Sequence, residues 1–259
     1  MFLESRARNA AADRANAASL ADAYSAIFEA VPADTAALRD ECFRTRYQVY
    51  CVENDFLAAA DYPDGREIDQ HDLRSLHGLL RYRRNGATVG TIRVVLPESG
   101  APPLPMYRVC QETGLPASLL PPIGETAEIS RFSISRQFRQ RAGDDLYGRV
   151  YQQAELARDE RRIIPHMTLG LIGLAVRLSQ GSGVENVCAI MEPSLIRLLG
   201  RIGIRWHAVG PLVDYHGMRQ PCITRLDELL AGIEAERPEI FEVIAETGAQ
   251  STAAHATAH

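Results

Sequence analysis

The chain predicts a sandwich of α/β or α+β class, with helices packed on one sheet. Three observations carry that expectation. Two strand-like runs, HGLLRYRR and ATVGTIRVVLP, flank Asn85-Gly86, a dipeptide suited to a hairpin turn. A third strand pattern covers Ala127–Ser135. Helical periodicity then dominates 144–160, 165–180 and the stretch from Leu226 to Ala245.

In chain order, Leu20, Tyr24, Ile27, Phe28 and Val31 make one apolar helical face, and Pro32 closes that helix. A second helix is expected over 36–50, with Leu38, Cys42 and Val49 inward. Residues 54–72 read as a polar loop with turn signals at Pro63, Asp64 and Gly65. The hairpin follows, then a loop from Pro97 to Pro105 and an irregular or briefly helical stretch over 106–127. Val184–Met191 is a strand candidate. Pro193 suits the first turn of a helix over Ser194–Leu199, and Gly200 and Gly203 are candidate stops. Ile204–Gly210 reads as a strand and Pro221–Thr224 as a short edge. Pro238 breaks the last helical stretch, and the tail GAQSTAAHATAH reads as frayed.

The 259 residues suffice for a substantial core, and 24% charged residues is ordinary for a globular chain. A net charge of -5 argues against a broad nucleic-acid surface. No apolar run reaches the length of a membrane span, which leaves peripheral contact open, and the opening residues lack a secretory core. Cys42, Cys51, Cys110, Cys188 and Cys222 are scattered, so a reduced, cytoplasmic chain is expected. There is no GxGxxG after a strand, no P-loop, no GxSxG and no HExxH, and the seven histidines show no ligand spacing. No metal is expected.

Four charged patches remain: RTRYQVY at 44–50, EIDQHD at 67–72, GTIRVV at 90–95 and EISRFSIS at 128–135. Charges beside strand-like apolar residues are costly to bury unpaired. They form either an internal ion-pair network or a lined pocket. Arg46 and Tyr50, four apart, share a helical face, with Phe56 just beyond. Glu67, Asp69 and Asp72 would repel without a cation, which Arg46 or Arg93 can supply; the same group could grip a substrate amine. Glu128 and Ser130 share one side of a strand, with Arg131 opposite. Glu128 can act as a base if its pKa is raised, and Ser130 can orient water or meet an oxyanion.

In this order the motifs resemble the autoinducer-synthase branch of the Gcn5-related N-acyltransferase (GNAT) superfamily. More narrowly, the chain is similar to N-acyl amino acid synthases, including acyltransferases associated with PEP-CTERM and exosortase systems. The resemblance runs from about residue 38 to 225. It rests on Arg46 with Tyr50, Glu67-x-Asp69-x-x-Asp72, Gly90-x-x-Arg93, and Glu128-x-Ser130-Arg131-Phe132. It implies a GNAT-like central twisted mixed sheet flanked by helices, filling a domain over 36–225. A helical extension (1–35) would precede it, and a helical segment with a flexible tail (226–259) would follow.

The resemblance further implies that acyl carrier protein or coenzyme A brings a fatty acyl thioester into a V-shaped split between two middle strands, and that the amine of an amino acid attacks it. Glu128 would be the base. Arg46, Asp69, Asp72, Arg93 and Arg131 would shape the amine side, with Tyr50, Phe56, Glu67 and Phe132 also against substrate. The strands Leu79–Tyr82 and Val89–Leu96 would bear on acyl length. No tightly bound cofactor is implied. Arg136, Arg139 and Arg141 stand where a pyrophosphate loop would lie and could instead meet an acidic carrier protein. Phe56 replaces a tryptophan that helps form the S-adenosylmethionine pocket of homoserine-lactone synthases. The expected product is therefore an N-acyl amino acid. The alternatives are an acyl-homoserine-lactone synthase and a noncatalytic lipid or acyl-carrier binding protein.

Overall fold

A computed structural model describes residues 19–139, 163–215 and 217–256. Its centre is an eight-stranded mixed sheet. Strand β1 (Phe28–Pro32) pairs antiparallel with β2 (Ser75–Tyr82), β2 with β3 (Ala87–Val95), and β3 with β4 (Thr126–Ile134). Strand β4 runs parallel to β5 (Asn186–Met191), which pairs antiparallel with β8 (Met218–Arg225). The short strands β6 (His207–Ala208) and β7 (Val213–Asp214) also pair with β8.

Side chains alternate across the sheet and so separate two helical layers. Leu80, Val94 and Val187 face a core shared by helices α1 (Leu20–Ile27), α5 (Thr168–Gly181), α7 (Leu226–Glu236) and α8 (Pro238–Ala256). Their neighbours Leu79, Val95 and Cys188 face the other way, toward α2 (Ala36–Tyr47) and α3 (Pro105–Glu112), and a short helix α4 (Arg136–Arg139) follows β4. Burial anchors both layers. The Tyr24 hydroxyl of α1 donates to Met167 O at 2.8 Å and accepts from Gly170 N at 2.8 Å, tying α1 to the start of α5. Gly78 lets α5 lie on β2, since a Cβ there would stand 2.1 Å from Leu174 Cδ2.

The hairpin forms as its turn signal predicts, with Gly86 at φ 72°. Other elements differ from the sequence pattern. The helical face of residues 20–31 ends at Ile27, and Phe28–Pro32 becomes a strand. Its ladder with β2 overrides the local periodicity. The candidate edge Pro221–Thr224 is an inner strand of eight residues. Pro221 has no N–H for β6, but its carbonyl accepts from Val209 N at 2.9 Å, and Gln220 Nε2 reaches Val209 O at 3.4 Å. The strand expected over Ile204–Gly210 shrinks to two residues. The tail continues as helix to Ala256 rather than fraying at Gly248. The helix expected over 144–160 lies outside the described residues.

At Gly90 the β4 backbone leaves no room for a side chain: an added Cβ would meet Ser133 O at 2.1 Å. Gly86 has open space and only a left-handed backbone. Gly90→Ala should therefore cost roughly 1–3 kcal/mol in urea unfolding, and more than Gly86→Ala, whose cost is about 1–2 kcal/mol from backbone strain alone. Equal costs would contradict this packing.

Candidate functional site

The site begins where two strands part. Strand β4 keeps its antiparallel partner β3 from Glu128 to Ile134. Its parallel pairing with β5 stops after Glu128↔Cys188. Beyond that register, Ile129–Phe132 on one side and Ala189–Met191 on the other line a cavity of about 220 Å³. The inner wall is apolar, built from Ile172, Ala175 and Val176 of α5, Leu199 of helix α6 (Pro193–Gly200), Trp206 and Leu229. Glu128, Arg93, Arg131 and Arg219 are its charged lining, with the Ser130 hydroxyl among them. The sheet thus opens as the resemblance implies. The acyl-length expectation needs correction, because the opening lies between β4 and β5. Ile92 and Arg93 reach it from β3, and Leu79–Tyr82 do not.

Glu128 is 3% exposed, and its Oε2 accepts from Met106 N, in the first turn of α3, at 2.7 Å. Burial pushes its carboxyl up to about 7, against the pull of that bond and of Arg93, Arg131 and Arg74. A buried carboxyl near pH 7 beside an apolar cavity is poised to exchange a proton at neutral pH.

Ser130 follows on the same strand, and its Oγ accepts from Arg93 Nε at 3.0 Å. Simple alternation would put Arg131 on the opposite side. Instead the β3–β4 register shifts between Thr91 and Arg93, and Arg131 sits at φ 51°. This bulge turns Arg131 onto the Ser130 side. Arg131 Nε and Nη2 donate to the two Glu67 carboxylate oxygens at 3.0 and 2.8 Å, and Nη2 reaches Asp69 Oδ2 at 3.1 Å.

Those contacts join a lattice of three guanidinium groups and three carboxylates. Arg46, fully buried, donates to Glu67 at 2.5 Å and by a fork to Asp72 at 2.7 and 3.0 Å. Arg93 donates to Asp69 at 2.7 Å and Asp72 at 3.0 Å. Asp69 and Asp72 also cap their own turn, Gln70–Arg74. Facing guanidinium groups hold the Glu67, Asp69 and Asp72 carboxyls below their usual range despite burial. Of the two sequence readings, these residues form the internal network. Arg46, Glu67, Asp69 and Asp72 do not line the cavity; they hold Arg93 and Arg131, which do.

Helix α2 widens into a π-helical turn, Gln48–Glu53, that places Tyr50 at the cavity. Arg131 lies over the Tyr50 ring at 5.5 Å, and Phe56 packs beside it with ring centroids 6.3 Å apart. Phe132 lines the cavity from β4. Of the basic residues assigned to a carrier, Arg136 is exposed and its backbone N–H bonds Glu53 at 2.7 Å. The Arg139 side chain and Arg141 lie outside what is described. Met106, Pro105, Tyr215 and Arg219 were not foreseen at the site. His77 was also missed: it is buried, with Nε2 3.6 Å from Asp72 Oδ1, and burial beside Arg46 pushes its pKa down to about 4. Among the described residues no cluster of metal-ligating side chains occurs.

The family model for the acetyltransferase (GNAT) domain matches residues 45–149. Among solved structures, TofI in a ternary complex with an inhibitor and MTA has a TM-score of 0.57 at 19% identity, covering 80% of this chain and 96% of TofI. BjaI, a CoA-dependent acyl-homoserine lactone synthase, gives 0.55 at 17%, covering 86% and 99%. FeeM, an N-acyl amino acid synthase from uncultured soil microbes, gives 0.52 at 13%, covering 81% and 97%. No curated protein matches the sequence. The chain has a GNAT-like α/β fold, the fold of the acyl-homoserine lactone synthase BjaI and of the N-acyl amino acid synthase FeeM.

Two stability predictions follow from opposite pKa shifts. The lattice carboxyls titrate below their unfolded values of 3.8–4.5, so their stabilisation is present above that range and is lost as pH falls through the lowered values. Arg46→Met should cost about 3–5 kcal/mol at pH 7 and flatten the acid limb of urea stability against pH. Glu128 is shifted the other way, from 4.5 to about 7. Its contribution is full below 4.5 and is lost as pH rises through 7. Glu128→Gln should therefore be more stable than the parent at pH 8, by up to roughly 3 kcal/mol, with the gap closing toward pH 4.5. Parallel stability curves would contradict the buried carboxyl.

Proposed function

We propose that this protein is an acyltransferase. It moves a fatty acyl group from the thioester of acyl carrier protein or coenzyme A onto the α-amine of an amino-acid-type acceptor. The observation that carries this reading is Glu128: a buried carboxyl titrating near 7, at the point where β4 and β5 part around an apolar cavity.

The chemistry follows from the geometry. An amine arrives protonated and must lose a proton before it can attack. The Glu128 carboxylate takes that proton. The nitrogen then bonds to the thioester carbon, and the carbonyl oxygen carries the negative charge. Ser130 Oγ accepts from Arg93, so its own hydroxyl hydrogen is available to that oxyanion. The C–S bond breaks, the departing thiolate takes up the proton from Glu128, and the freed carboxylate takes the second proton from the acylated nitrogen and passes it to solvent, leaving a neutral amide. The acyl chain occupies the apolar wall of α5, α6 and Leu229. Arg131, partly exposed at the cavity, suits the carboxylate of the acceptor.

Two acceptors fit this step, since S-adenosylmethionine is itself an α-amino acid. The likeness to BjaI, an acyl-homoserine lactone synthase also solved with SAM and isopentyl-CoA, supports S-adenosylmethionine with closure to a homoserine lactone. Phe56 at the cavity, a ring without an N–H donor, supports a plain amino acid, as does the likeness to FeeM.

Purified protein should release free thiol only when offered both an acyl thioester and an acceptor. Mass spectrometry then separates an N-acyl amino acid from a lactone that requires S-adenosylmethionine. Donor binding without thiol release across an acceptor panel would leave a binding protein. Glu128→Gln should lower turnover by about 10²–10⁴, with a smaller effect on donor affinity. In the parent, kcat/KM should rise with pH through about 7 as Glu128 loses its proton. That limb should vanish in E128Q, and a limb unchanged in the variant would remove Glu128 from the base role.

A further inference from the structure

The carboxylate of Glu128 is held by one backbone donor, Met106 N, at 2.7 Å. That donor sits in the first turn of α3, directly after the Pro97–Leu104 loop. What fixes this loop is therefore what aims the donor. Leu104 and Met106 are fully buried and hold the start of α3 by packing. One polar clamp adds to them. Arg74 Nη2 donates to Pro102 O at 2.6 Å and approaches Pro103 O at 3.3 Å. Both carbonyls lie within four residues of Met106 in sequence.

Arg74 is itself well anchored. It ends the Gln70–Arg74 turn that carries Asp72, and whose cap is Asp69. Its carbonyl accepts from Leu96 N at 3.0 Å, beside the end of β3. His71 Nδ1 lies 3.4 Å from its Nη2. The short turn that supplies the lattice carboxylates thus also supplies a guanidinium directed at the loop before α3.

We infer that Arg74 is a positioning residue for the Glu128 carboxylate. It clamps the Pro102 and Pro103 carbonyls, and so fixes the Met106 N–H that holds Glu128. This rests on the reading of Glu128 as the base. A carbonyl of a proline-rich loop suits such a clamp, because proline offers an acceptor and no competing donor. The Arg74 charge acts in the same direction as the clamp, since it also draws the Glu128 carboxyl downward. The other charged or titratable groups acting on or beside Glu128 are Arg93 from β3, Arg131 from β4, Cys110 from α3, Cys188 from β5 and Cys222 from β8. The three thiols are pushed up by burial, so at neutral pH they stay protonated and leave the arginines as the charges Glu128 feels.

The test is a carbon-13 carboxyl titration of Glu128 in the full chain, with its resonance assigned by loss in E128Q. It needs no substrate. The parent should titrate near 7. Arg74→Gln removes the charge and the two-carbonyl reach. Arg74→Lys keeps the charge on a shorter side chain, whose nitrogen falls short of the Nη2 position between the two carbonyls. Both should titrate higher, Arg74→Gln by at least about 0.5 pH unit and Arg74→Lys by less. Either variant titrating at the parent midpoint while folded overturns the inference, even if its melting temperature is lower. The lysine variant decides the matter if the glutamine variant does not fold. Shifted titrations in a protein that transfers no acyl group would uphold the clamp and defeat the proposed reaction. An active enzyme with unshifted titrations would do the reverse.

Discussion

Strand β4 is held continuously on one side and released on the other. Its ladder with β3 runs to Ile134, while its pairing with β5 ends at Glu128↔Cys188. A buried strand edge left without a partner is costly, because its amides and carbonyls need hydrogen bonds. Such an edge fits a ligand that brings amides of its own, as the arm of an acyl thioester does. The parting also decides where Glu128 stands. As the last β4 residue paired with β5, it is buried by the closed part of the sheet and opens onto the cavity of the parted section.

The ionic lattice behind this opening explains how the parted strand keeps its shape. Removing three guanidinium groups and three carboxylates from water is expensive, and the cost is offset only by near-complete pairing. Here forked contacts tie Arg46 to Asp72 and Arg131 to Glu67, and Arg93 bridges Asp69, Asp72 and Ser130. The lattice spans α2, the loop after it, β3 and β4. It holds the bulge at Arg131 from outside the sheet, so strain at one left-handed residue persists where its guanidinium lines the cavity. Its members thus shape the site by fixing the residues that line it.

Much of this was legible in the chain because it is local. Asn85-Gly86 marks the hairpin, and the spacing of Asp69 and Asp72 and their need for a cation point to Arg93 and Arg46. The parts that were not legible depend on distant packing. Phe28–Pro32 carries a helical spacing and becomes a strand only because β2 offers it an edge. Alternation places Arg131 opposite Ser130, and a single positive φ reverses it. The raised pKa of Glu128 could be required by the chemistry but not read from its neighbours in sequence. It arises from burial under α3, whose Met106 lies 22 positions earlier. Pro221 argued for an edge, yet the side chain of Gln220 supplies a donor where the proline lacks one.

In the proposed reaction the parted strands receive the acyl thioester with its carbonyl beside Glu128. The most direct measurement is a crystal structure with a non-hydrolysable acyl-pantetheine analogue. The pantetheine arm should lie between Ile129–Phe132 and Ala189–Met191, the chain against α5 and Leu229, and the carbonyl carbon within reach of an amine touching Glu128. An analogue bound elsewhere, or β4 and β5 closed into a continuous ladder around it, would rule out this use of the opening.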